Sequence, residues 1–130
     1  MDHDDDEELV TILLRSSYDT HVQAVEHNRL LPLMKLAHKY QFYRVMNKLA
    51  SLIRNNFDLL FQCLDFVNED MEEMKQFNCT MATLFNASWE SIMDHELHLL
   101  MEFEHLKKAM HIMIDEYKRF VFVDPLVDWL

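Results

Sequence analysis

Glycine is absent from this chain of 130 residues, where average usage of roughly 7% would supply about nine. Every position therefore carries a Cβ, and the residue that adopts left-handed backbone freely is missing. Tight two-residue hairpins and phosphate-cradling loops are accordingly not expected. Proline is nearly as scarce, with Pro32 and Pro125 the two breakers. The two cysteines, Cys63 and Cys79, lack the Cys-x-x-Cys spacing of a zinc or redox site and read as small, reduced core residues. Bases are outnumbered, 12 against 23 acids, and the net charge of −11 excludes the basic face that a phosphate backbone requires. No window offers the ~18 consecutive apolar residues of a membrane span. The N-terminus is acidic where a secretory signal would be basic. These absences place the chain inside the cell, cytoplasmic or nuclear, with neither nucleic acid nor membrane as partner. The glycosylation sequons Asn78-Cys79-Thr80 and Asn86-Ala87-Ser88 carry no meaning without secretion.

What is present is apolar and periodic. Half the residues are hydrophobic and 27% are charged, the composition of a globular domain with a real core. Six of the acids (Asp2, Asp4, Asp5, Asp6, Glu7 and Glu8) crowd residues 1–8, which read as a disordered, solvating acidic head. Beyond it, apolar residues recur at steps of three and four. Leu33, Leu36, Ala37 and Tyr40 line one helix, whose first turn accommodates Pro32. A turn at Tyr40 to Phe42 leads to a second helix with Val45, Leu49, Leu52 and Ile53 inside, broken by Asn55 and Asn56. Asp58 helps start a third, carrying Leu59, Leu60, Cys63, Leu64 and Val67 and closed by Asn68. Residues 70–86 form a longer helix, with Met71, Met74, Phe77, Met81, Leu84 and Phe85 on one side. Ser88 caps the next, anchored by Trp89, and residues 104–119 give another with Leu106, Met110, Met113, Ile114 and Tyr117 on one face. Phe120 to Val123 is β-prone, and Asp124-Pro125 announces a last short helix over 126–130. The expected fold is all-α: consecutive amphipathic helical hairpins, six to eight helices, in segments 9–54, 55–101 and 102–130.

Little of this can do chemistry. His98, Glu102 and His105 are spaced to share a helix face, so the three could meet a divalent metal, yet the spelling is not His-Glu-x-x-His. The ordinary reading is a solvated face, with no cofactor. Without a glycine-rich loop, a nucleophile elbow or a cysteine in an acid–base constellation, no enzyme is expected. Ten methionines serve either to fill irregular core gaps or to give an adaptable surface.

The stretch Leu30-Leu31-Pro32-Leu33-(x)2-Leu36-Ala37-x-Lys39-Tyr40, followed by Val45, Leu49 and Ile53, resembles the helix pair that closes a BTB (POZ) domain. Glu8 to Tyr18 is similar to the segment upstream of that pair. Farther on, Met74-Lys75, Leu84-Phe85, Trp89-Glu90-Ser91-Ile92-Met93 and His98-Leu99-Leu100 resemble in order the start of a BACK domain, as in speckle-type POZ adaptors of cullin-based ubiquitin ligases. The likeness covers residues 8–101. The opening strands and helices of a BTB domain are missing ahead of Glu8, and with them the element that grips cullin. The resemblance implies a protein–protein interaction module, an adaptor possessing only part of the BTB domain, whose partner is a cullin-family scaffold. It assigns partner binding to Leu60, Cys63, Leu64, Val67, Met74 and Phe77. The ordinary reading of the same spacing is internal core, and the two readings can both hold in part. The alternative from the residues alone is a free-standing helical interaction protein unrelated to ubiquitin ligases.

Overall fold

The computed structural model describes residues 6–18, 26–53 and 56–123; for residues 18 and 119–123 it describes the backbone alone. Among them are six α-helices and no strand, the all-α fold that the periodicity implies. The chain divides into two compact units, Met1–Phe66 and Val67–Leu130. The boundary falls twelve residues beyond the 54/55 division read from the sequence, so residues 55–66 belong to the first unit and 67–101 to the second.

In the first unit, helix α1 spans Glu7–Tyr18. Its cap comes from the acidic head: Asp6 Oδ1 accepts the Glu8 N–H at 2.8 Å and the Leu9 N–H at 3.4 Å. Glu7 and Glu8 form the first turn, where negative charge suits the helix dipole. The head is therefore helical from Glu7, and residues 1–5 lie outside the described residues. Glu8 also pairs with Arg29 of the next helix.

Helix α2 spans His27–Lys39 and buries Leu30, Leu33, Met34, Leu36 and Ala37. It begins earlier than the sequence suggests. The Arg29 N–H already bonds the Glu26 carbonyl at 2.9 Å, so Pro32 is the sixth helical residue rather than part of the first turn. Burial of Leu30 favours the longer helix, and the exposed proline omits one bond, to the Asn28 carbonyl.

The turn into helix α3 (Tyr43–Ala50) is a Schellman motif made without glycine. Gln41 sits at φ 63°, the Phe42 N–H bonds the Ala37 carbonyl at 2.8 Å, and the Gln41 N–H bonds that of His38 at 3.2 Å. A second left-handed residue, Glu96 at φ 56°, follows the helix that ends at Asp94. Lack of glycine thus does not abolish left-handed turns; it places a Cβ in them, at about 1–2 kcal/mol each.

Val45, Met46, Leu49 and Ala50 face α2, and α3 ends at Ala50, ahead of Leu52 and Ile53, which were expected inside it. Arg54 and Asn55 are outside the described residues. Asn56, rather than Asp58, starts helix α4 (Phe57–Cys63): its Oδ1 accepts the Leu59 N–H at 3.0 Å. A 3₁₀ turn over Leu64–Phe66 closes the unit, with the Phe66 ring 5.3 Å from that of His38.

In the second unit, Asn68 and Asn78 bond reciprocally: the Asn68 N–H reaches Asn78 Oδ1 at 3.3 Å, and Asn78 Nδ2 donates to the Asn68 carbonyl at 2.9 Å. A 3₁₀ turn over Glu72–Met74 enters helix α5, Lys75–Asp94, which buries Phe77, Met81, Ala82, Phe85 and Ile92. The break expected near Asn86 and Ser88 does not occur. Asn86 spends its amide on Glu116 at 2.8 Å instead of on its own backbone, and the chain stays helical past Trp89. After a 3₁₀ turn over Leu97–Leu100, helix α6 runs Phe103–Val123 and folds back on α5. Residues 120–123, expected to be β-prone, continue the helix, since their β-preference has no partner strand to act on. The short helix expected over 126–130 lies outside the described residues.

Gln41 offers a direct test of the left-handed turn. Gln41→Gly should raise the unfolding free energy by about 0.5–1 kcal/mol in urea denaturation, and Gln41→Val should lower it by at least as much.

Candidate interaction surface

The six residues that the BTB-like reading assigns to partner binding are all buried. Leu60, Cys63 and Leu64 belong to the first unit, and Val67, Met74 and Phe77 to the second; none is more than 5% exposed. In this conformation they are core, and none presents a side chain to a partner. Cys63 shows how dry that core is: burial, assisted by nearby Asp65, pushes its thiol up to about 12. Cys79 is only half-buried.

The histidine constellation does not assemble. His98 lies in the 3₁₀ turn, Glu102 in the link that follows, and His105 in the first turn of α6, so no single helix carries all three. Among the described residues, no group of three His, Cys, Asp or Glu side chains could hold a metal. A shallow cleft between α5 and α6 has Cys79 and Ile112 in its floor and Glu69, Glu72, Asp115 and Glu116 on its rim. Glu116 is committed within the fold, accepting from Thr83 Oγ1 at 3.0 Å and from Asn86 Nδ2 at 2.8 Å. The remaining carboxylates fringe the half-buried Cys79 thiol, and Lys75, also in the lining, pairs with Glu72 at 3.4 Å. No helix among the described residues is long and apolar enough to cross a membrane.

The apolar surface is where the second unit stands apart. Met93, Leu99, Leu100, Phe103, Met110, Ile114 and Tyr117 are all exposed, with Leu99 at 69%, Leu100 at 79%, Phe103 at 74% and Tyr117 at 70%. Leu14 is the one other large hydrophobic this open among the described residues. Single exposed leucines are ordinary, but seven large exposed hydrophobics within 25 residues are a concentration, and Phe103, Met110, Ile114 and Tyr117 recur at helical spacing on α6, which makes this surface the candidate for interaction.

Helix geometry explains the exposure. At 100° per residue, Ala109 and Ile112, both buried, and Leu106 and Met113, both half-buried, form the stripe that meets α5. Phe103, Met110, Ile114 and Tyr117 lie about a quarter-turn away. One neighbouring helix covers an arc of roughly 100°. The apolar arc of α6 is about twice that, so half of it faces out. Sequence reading puts both stripes on one face; the excess width is the signal that separates them.

Comparison with protein-family models, with curated proteins and with solved structures found no match.

The contrast between the thiols can be measured. In native protein one thiol per chain, that of Cys79, should react with Ellman's reagent, and the second only in denaturant. A thiol raised in the fold supports stability fully below its ordinary value of 9 and loses that support as pH climbs toward 12. Alkaline unfolding over that window should flatten in Cys63→Ala relative to the native chain.

Proposed function

We propose that the chain is a non-enzymatic protein–protein interaction module, serving as a BTB-type adaptor to a cullin-family scaffold. The observation that carries the interaction reading is the exposed apolar surface of the second unit. The partner comes from the resemblance: a closing BTB helix pair at α2 and α3, then BACK-like helices. Because the six residues carried over from that likeness are buried, contact falls instead to the exposed leucines of the 3₁₀ turn, Leu99 and Leu100. Paired aliphatic side chains standing clear of the backbone suit insertion into an apolar groove.

A pulldown with a cullin N-terminal region tests this. Leu99→Asp with Leu100→Asp should weaken capture at least about tenfold, a change of ~1.4 kcal/mol, while helical circular dichroism stays native. Leu64→Asp and Phe77→Asp, each burying an unpaired carboxylate, should lose capture and helicity together. A native chain that captures no cullin defeats the adaptor reading and leaves a free-standing interaction protein.

A further inference from the structure

The outward stripe of α6 comes with a charged edge whose order identifies what covers it. Beside Phe103, Met110, Ile114 and Tyr117 run Glu104, Lys107, His111, Asp115 and Lys118, all exposed. Their steps are three, four, four and three, so the spacing reads the same in both directions about His111. The signs do not: negative, positive, histidine, negative, positive becomes its opposite on reversal. An edge symmetric in position and antisymmetric in charge complements an inverted copy of itself.

We propose that this face of α6 is covered by the same face of a second copy of the chain, the two helices running antiparallel. The proposal rests on reading the face as an interaction surface, and it names the occupant. In antiparallel two-fold pairing, each edge meets its own counterpart. Glu104 of one copy then lies opposite Lys118 of the other, and Lys107 opposite Asp115, in a single register. Parallel pairing would turn this edge toward the opposite one, where Leu106 and Met113 sit half-buried against α5 and offer no charge. The apolar stripe fits the same alignment within about one residue, Met110 of one helix meeting Ile114 of the other. Two copies bring together four aromatic rings of about 150–250 Å² each and four aliphatic side chains, near the lower end, about 1,200 Å², of stable specific interfaces. The dimer should therefore be weak, forming at micromolar chain concentrations.

Sedimentation equilibrium of the full chain decides the matter. The native chain should show concentration-dependent dimerisation, and Ile114→Asp should abolish it with helicity unchanged. Glu104→Lys and Lys118→Glu should each weaken dimerisation about fivefold by setting like charges opposite one another. The double variant Glu104→Lys with Lys118→Glu should restore it, because the inverted pair is again complementary. A chain that stays monomeric throughout, or a double variant no tighter than its singles, overturns the proposal. If the native chain is monomeric while Ile114→Asp still loses a different captured protein, the interaction surface stands and self-pairing falls.

Discussion

A chain without glycine must end its helices with residues that carry a Cβ, and the arrangement of each unit depends on where it does so. Among the described residues, Gln41 and Glu96 take up the left-handed conformation, the first at the turn from α2 into α3 and the second just past the end of α5. At the first, six residues of hydrogen-bonded turn bring the apolar faces of α2 and α3 together, and with them Leu33, Leu36, Val45 and Leu49. Side-chain oxygens cap the starts of α1 and α4, from Asp6 and Asn56. The strain at the turns is tolerated because burial of the faces they join is larger by several kcal/mol.

The helices are legible in the sequence because their period is strong: the stripes Leu33-Leu36-Ala37, Val45-Leu49 and Phe77-Met81-Phe85 all reach the core. Their ends are less so. Asn86 and Ser88 look like a cap and a start, but whether an asparagine interrupts its own helix depends on whether something else claims its amide. Glu116, thirty residues on, does. Pro32 misleads for a similar reason, since a proline signals the beginning of a helix only when nothing upstream is worth burying, and Leu30 is. The surface of interest was the least legible part. Spacing favours core for Leu60, Cys63, Leu64, Val67, Met74 and Phe77 without excluding a groove, and all six are buried.

The two units differ in how completely their helices use their apolar arcs. In α2 the apolar residues fit the arc that neighbours cover, with Lys35 and Lys39 on the wet side. In α6 the arc exceeds what α5 covers, and the surplus is ordered, bordered by charge of alternating sign. Such a border discourages indiscriminate sticking, because a partner must match the signs as well as cover the side chains.

Asn78 and Asn86 each donate an amide hydrogen to hold the second unit, the first to the Asn68 carbonyl and the second to Glu116. They are also the asparagines of the two sequons. A saccharide joined to either nitrogen would crowd the oxygen that the nitrogen already holds, loosening the entry to α5 in one case and the seam with α6 in the other. Folding and sugar attachment therefore compete for the same two atoms, and a chain that met the glycosylation machinery before folding would arrive with its fastenings obstructed.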